Sequence, residues 1–417
     1  MPRPKSASSL VVLALLAGWH PASAMMAAER REYLEKLLGI LPDVPSFRAW
    51  LEKTGELPPD FDSLPKINGL PDPLTFLDGR PVRTAQDWSR RRAEIRQLFE
   101  KYDLGTFPPK PKLDRVVPVD ETPGQVTPDL VNWVIQRGGN SFGWLAPQKD
   151  LTASRPIAFG FNVRGNLYYP SNTPEGTRLP TVIWLHGFSY PLGYMWVYHN
   201  DLHPILALVR AGYAVLAYDQ SGFGSRLMET GPFYDRYPHW SHMGRMVEDV
   251  RTAVDALEKD SLVDPQRIYA FGYSMGATVG IYAAALDPRI RGVVSICGFT
   301  PMRTDRAARG TGGVARYSHQ RDLMPRLGFF VGHEDRIPYD FDELLGLIAP
   351  RPAMVVQPQL DRDATPADVA TAVGEARKAY ALYGASDKLG FREPWDYNRL
   401  PNQLQDEVIQ WMGQNLR

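Results

Sequence analysis

The chain has 417 residues, 44% of them hydrophobic, and its 47 Lys and Arg residues equal its 47 Asp and Glu residues. That balance leaves no general field for nucleic acid or an anionic membrane surface, and the apolar fraction suffices for a sizeable core. The single cysteine, Cys297, excludes an intrachain disulfide and, in the apolar run from Gly292 to Gly298, reads as an inert core thiol.

The first element in chain order is a leader. Arg3 and Lys5 precede an apolar stretch from Leu10 to Leu16, and Ala22-Ser23-Ala24 supplies the small residues of a signal-peptidase site. Residues 1–24 are therefore expected to be a signal peptide, and the mature protein periplasmic or secreted, with no membrane attachment after cleavage. The apolar run is short for a bilayer span, and no later segment reads as a transmembrane helix. Residues 25–150, rich in Pro and short amphipathic pieces, are expected to form an extension packed on the core. Within it, the spacing of Trp88, Ile95, Leu98, Phe99 and Tyr102 predicts a helix over 87–102, stopped by Leu104-Gly105 and Pro108-Pro109.

From about residue 155 the pattern becomes strand, turn and helix in repetition. Strands are predicted over 180–185, 212–218, 267–271, 292–296 and 352–356, with helices over 247–257, 277–286 and from about 367. Strands alternating with helices define an α/β fold, a mostly parallel sheet covered on both faces. Residues 300–350 are less regular and are expected to form a small cap-like insertion in a domain spanning 151–417.

Three motifs carry chemistry. Gly272-Tyr273-Ser274-Met275-Gly276 follows an apolar strand and precedes an alanine-rich helix, the context of a nucleophile elbow. A serine on so tight a turn is exposed above a helix N-terminus, with glycines where side chains would clash. His186-Gly187-Phe188-Ser189 ends an earlier strand, and the backbone N–H groups of Phe188 and Met275 are the expected oxyanion donors. Asp361, followed by Asp363, lies just after the strand at 352–356, where an acid orients a general base. Asp361 is nearer the strand end, and Asp363 has the alternative of capping the next helix.

These turns, together with Tyr218-Asp219-Gln-Ser-Gly-Phe-Gly224, resemble the α/β-hydrolase superfamily over residues 155–417. The segments Asp87-Trp88-Ser-Arg-Arg-Arg-Ala-Glu94-Ile95, Phe107-Pro108-Pro109 and Leu344–Pro352 are similar to pieces of secreted carbohydrate esterases, acetyl xylan esterase-like and glucuronoyl esterase-like. The resemblance implies cleavage of esters on polysaccharide fragments. Glucuronoyl esterases carry Arg directly after the nucleophile. Here that residue is Met275, which points to an oxyanion hole built from backbone alone.

A second departure concerns the base. The order implied by the resemblance is Ser, acid, then His near the C-terminus. The last of the eight histidines is His333, none follows Asp361, and Trp395-Asp396-Tyr397 stands where His-Asp-Phe is expected. A serine hydroxyl is a weak nucleophile without a base. Three accounts stay open. His319 or His333 from the cap-like insertion, or one of His199, His203, His239 and His242, supplies the base. Alternatively, Asp396 or Asp361 acts directly. In the third account the scaffold binds, or performs lyase-type chemistry, without hydrolysis.

Tyr190, Tyr194, Trp196 and Trp240 are the aromatics that could stack on a sugar. His239-Trp-Ser-His242 lacks further metal ligands, and Gly310-Thr-Gly-Gly313 lacks the Lys and helix of a phosphate loop. No metal and no cofactor are expected. The reading of the sequence is an exported serine hydrolase acting on a small-molecule or oligosaccharide ester.

Overall fold

A computed structural model of the chain describes residues 27–109, 152–189, 192–195, 202–305, 310–320 and 322–416. The expected leader at 1–24 lies outside the described residues, as do Tyr190, Trp196 and His199. Among the described residues, no helix is long and apolar enough to cross a membrane.

The chain opens with α1 (Ala27–Ile40), α2 (Pro45–Thr54) and α3 (Ala85–Phe99). A capping box starts α3: the Thr84 hydroxyl accepts from the Asp87 N–H while the Asp87 carboxylate accepts from the Thr84 N–H. The helix begins two residues earlier than its apolar spacing suggests, because the cap lies outside the periodic stretch. Its last turn widens into a π-helical turn over Glu100–Leu104.

Eight strands form one sheet: β1 (Thr152–Phe159), β2 (Val163–Pro170), β3 (Leu179–Leu185), β4 (Ala214–Tyr218), β5 (Val263–Tyr273), β6 (Ile290–Ile296), β7 (Ala353–Val356) and β8 (Leu389–Arg392). Their order is β1-β2-β4-β3-β5-β6-β7-β8. The β1–β2 and β2–β4 pairs are antiparallel, and every pair from β4 to β8 is parallel. The expected α/β-hydrolase architecture is therefore present. The hairpin β1–β2 and the edge strand β8 were not predicted. Their alternation is broken by charged and partly exposed residues such as Arg155, Arg164 and Arg392.

Alternate strand residues feed two cores, as the period of a strand requires. Ile183, Leu185 and Ala270 face one, together with α5 (His242–Leu257), α6 (Met275–Leu286), α7 (Phe341–Gly346) and α8 (Pro366–Ala381). Val182, Trp184 and Phe271 face the other, under α4 (Pro204–Arg210) and α9 (Asn402–Asn415). Helix α6 is buried at every position, which explains why its sequence is apolar all round.

The N-terminal helices are bound to the segment between β6 and β7. Arg91 of α3 forms a buried ion pair with Glu343 of α7, and Arg92 donates to the Leu347 carbonyl at 2.8 Å. The Tyr33 hydroxyl donates to the Val331 carbonyl at 3.1 Å, and the Ile67 N–H to that of Asp335 at 2.9 Å.

From β3 the chain steps to β4 on one side, then returns to β5 on the other. The switch point thus lies between β3 and β5, and a ligand crevice is expected outside the carboxyl ends of those two strands. The residues found there are His186-Gly187 and Ser274.

Candidate active site

Ser274 sits between β5 and α6 with φ 52° and ψ −123°. A non-glycine residue is rarely found there, and such strain persists only where the surroundings impose it. They do so here by close packing. A Cβ on Gly272 would overlap the backbone of Gly276 and Ala277, and one on Gly276 would overlap the Leu185 and His186 carbonyls. The Ser274 N–H is held by the Ile296 carbonyl at 2.8 Å, and the Ser274 carbonyl accepts from Ala277 at 2.9 Å. The hydroxyl is thereby fixed at the mouth of α6, whose first amides have no partner within the helix.

Met275 follows the serine with its side chain 1% exposed, within the main core. It can offer the site only its backbone N–H. The facing turn is equally constrained. Gly187 stands next to Ser274, where a Cβ would come within 3.2 Å of the serine Cβ. Phe188 is half exposed and meets Phe223 edge-on at 5.1 Å.

His186 anchors this turn and uses both ring nitrogens to do so. Nε2 accepts from the Gln220 N–H at 3.0 Å, so Nδ1 carries the proton and donates to the Gly187 carbonyl at 2.7 Å. Burial holds its pKa below the usual imidazole value. Asp219 ties the next loops down: its carboxylate accepts from the Tyr194 N–H at 3.0 Å and from the Ser225 N–H and hydroxyl at 2.8 Å each.

Asp361 lies in the loop after β7 and is buried. Its carboxylate accepts from Gln357 Nε2 at 3.1 Å and the Asp363 N–H at 2.9 Å. Asn398 also donates to it, with Nδ2 3.2 and 3.3 Å from the two oxygens, as does the Cys297 thiol. The Asn398 carbonyl in turn accepts from the Tyr273 hydroxyl at 2.9 Å, beside the serine. Asn398 was not singled out in the sequence. An amide in the loop after the last strand has no spacing rule that pairs it with an acid in another loop.

Cys297, at φ 55°, directly follows Ile296 of β6, whose carbonyl holds the Ser274 N–H, and its own N–H bonds the Val356 carbonyl at 2.9 Å. Burial, reinforced by Asp361, pushes its thiol well above the usual range, so it is a protonated core thiol.

Apart from His239, the described histidines are engaged in other contacts. His319 packs on Phe47 at 4.2 Å between centroids and takes its Nδ1 contact from Ser318 at 2.7 Å; burial lowers it to about 4. His333 stacks on Phe61 at 4.2 Å and meets Tyr33 edge-on. His203 caps α4 through Nδ1 and donates from Nε2 to the Tyr194 carbonyl at 2.9 Å. His242 donates to the Ser221 hydroxyl at 2.9 Å, and His239 is exposed. Among the described residues, no hydrogen bond reaches the Ser274 hydroxyl, and neither His319 nor His333 is brought to it. Both are held by the apolar N-terminal helices, a packing role that isolated histidines in a sequence do not reveal. Asp396 is paired with Arg399 at 2.8 Å. Trp240, 2% exposed amid Phe107, Phe161 and Phe233, offers no sugar platform. Among the described residues there is no cluster of His, Cys, Asp and Glu fit for a metal ion.

Sheet, elbow and facing glycine turn define an α/β hydrolase. Residues 182–413 match the model of the alpha/beta hydrolase family, and the chain belongs to that family. It is 29% identical over 306 residues to a 4-O-methyl-glucuronoyl methylesterase of Phanerochaete carnosa, covering 68% of this chain and 64% of that protein. A protein of the same name from Cerrena unicolor is 32% identical over 239 residues, or 55% of this chain and 42% of the relative. The chain thus spans less than two thirds of either relative. A glucuronoyl esterase structure from Solibacter usitatus superposes with a TM-score of 0.65 at 17% identity, over 85% of this chain and 99% of that one. The Hypocrea jecorina glucuronoyl esterase catalytic domain gives a TM-score of 0.57 at 20% identity, over 85% and 90%. At these identities the superpositions speak for the fold.

Proposed function

We propose that the protein is an exported serine hydrolase that cleaves carboxylic esters on carbohydrate, uronic-acid esters among them. The observation that carries this reading is the strained Ser274 facing the Gly187 turn across the switch point. The Ser274 Oγ attacks the ester carbonyl, and the developing oxyanion is received by the Phe188 and Met275 N–H groups. Collapse expels the alcohol and leaves an acyl-enzyme that water then hydrolyses. The names of the curated relatives support an ester of a uronic acid as substrate.

One observation favours a second reading. The side chain that meets the Asp361 carboxylate from the loop beyond β8 is the amide of Asn398. A protein without an activated serine would bind an esterified sugar and turn it over slowly, if at all. The two readings separate on hydrolysis of a methyl ester of 4-O-methyl-glucuronate and of p-nitrophenyl acetate by the mature chain, beside Ser274→Ala. Hydrolysis lost in the variant supports the enzyme. Equal background rates, with ester binding retained, support the binder.

A further inference from the structure

We propose that position 398 is the general-base position of this site, and that Asn398 fills it with an amide that orients Asp361 but cannot take a proton. The inference rests on reading Ser274 as the nucleophile.

The argument starts from connectivity. In asparagine Nδ2 is bonded to Cγ, and in histidine Nδ1 is bonded to Cγ. An imidazole at 398 would therefore present its Nδ1–H where the amide N–H now meets Asp361, 3.2 and 3.3 Å from the two oxygens. Its Nε2, across the ring, would face away from the carboxylate. That is the order of acid and base in a catalytic triad, and on this proposal the nucleophile that Nε2 would serve is Ser274, next to the Tyr273 that bonds the Asn398 carbonyl.

The backbone at 398 is fixed for this role. The Tyr273 hydroxyl, on the residue preceding Ser274, donates to the Asn398 carbonyl at 2.9 Å. The loop carrying Asn398 is laced to the loop carrying Asp361, through Gln359 N–H to the Pro394 carbonyl and Leu360 N–H to the Asp396 carbonyl, each 3.0 Å. The Asp396–Arg399 ion pair closes the turn around it. Gln357 Nε2 and the Asp363 N–H would keep orienting Asp361 whatever side chain stood at 398. Asn398 is itself only partly buried, so a ring has solvent on one side to enter.

Chemically the two side chains differ in one respect. The amide nitrogen's lone pair is delocalised into its carbonyl and does not accept a proton near neutral pH. With imidazole, the Ser274 proton passes to Nε2 as the Oγ–carbon bond forms and the carbonyl pair moves onto oxygen. The same proton then passes to the alcohol as the carbon–alkoxide bond breaks. With Asn398 the first transfer has no acceptor at this position and the second has no donor.

The test is Asn398→His in the mature chain, with Asn398→His/Ser274→Ala beside it, read by p-nitrophenyl acetate hydrolysis from pH 5 to 9. The expected result is a rise in kcat/KM of about a hundredfold or more over wild type. The rate should climb through an apparent pKa of about 6.5, a limb absent from the wild type, and vanish in the double variant. A folded Asn398→His protein with wild-type rate and no new pH limb overturns the proposal. Should that variant not fold, Asn398→Gly assayed with added imidazole decides: saturable Ser274-dependent rescue supports the proposal, and no rescue overturns it. Wild-type turnover judges the hydrolase reading separately. An inert wild type beside an active Asn398→His protein removes that reading and keeps this one. Ser274-dependent wild-type activity with an unresponsive position 398 does the reverse.

Discussion

Gly187 lies against Ser274 so closely that a Cβ on the glycine would come within 3.2 Å of the serine Cβ and 3.1 Å of the Tyr273 ring. Both distances are tight, yet neither contact is with backbone, so a methyl group is accommodated by shifts of a few tenths of an ångström. On the proposed mechanism the cost falls on the reacting space between Ser274 and the Gly187 turn. Gly187→Ala is expected to lower Ser274-dependent turnover by about tenfold to a hundredfold, since small misplacements at a reacting centre have effects of that size. Its melting temperature should stay close to that of the wild type. A variant that melts much lower would show the glycine to be structural instead.

Gly276 presents the opposite case. A Cβ there meets the carbonyl oxygens of Leu185, the last residue of the central strand β3, and of His186, which follows it, and this backbone cannot turn aside. Gly276→Ala is expected to destabilise the fold by about 3 kcal/mol or more. Denaturant unfolding measures this, and a loss under about 1 kcal/mol would mean that α6 can slide on β3.

The elbow holds Ser274 at φ 52°, a conformation that costs a non-glycine residue about 1–3 kcal/mol. Glycine there has no such penalty. Ser274→Gly should therefore be inactive and more stable than wild type by about 1–2 kcal/mol after the entropy of the unfolded glycine is set against the relief. Ser274→Ala keeps the strain and should gain nothing. Equal stability of the two variants would contradict the account of strain.

His242 gives the fold a pH dependence of its own. Burial pushes its pKa down to about 3, while the Ser221 hydroxyl accepts from its Nε2. Unfolded, the same ring takes a proton below about pH 6.5. Its contribution is thus complete above that pH and is lost as the pH falls toward the folded value, at about 1.4 kcal/mol per unit. His242→Gln keeps a donor to Ser221 and removes the titration. The variant should be less stable than wild type at pH 8, and the deficit should shrink by about 1.4 kcal/mol for each unit below about 6.5. Parallel curves of stability against pH would rule this out.

Much of the sheet was legible because buried parallel strands read as apolar runs. β3 to β7 and the elbow all fell within a few residues of their observed positions. Strands β1, β2 and β8 escaped because the β1–β2 hairpin and the opposite edge strand are partly exposed and carry mixed residues such as Arg155, Arg164 and Arg392. At the site, Ser274 and the His186-Gly187 turn were legible, since each motif encodes its own backbone geometry. The partner of Asp361 was not, because Asn398 is joined to it only through the tertiary packing of two loops. The histidines misled for a similar reason: His319 and His333 are held by Phe47 and Phe61 of the N-terminal extension, contacts that no local pattern announces.

The central claim is that Ser274 is the nucleophile. It is tested most directly by prolonged incubation of the mature chain with a fluorophosphonate, followed by intact mass measurement and peptide mapping. The expected result is a single adduct on the peptide carrying Ser274, absent from Ser274→Ala and formed faster by Asn398→His. No adduct in either the wild type or Asn398→His, or an adduct that persists in Ser274→Ala, would contradict it.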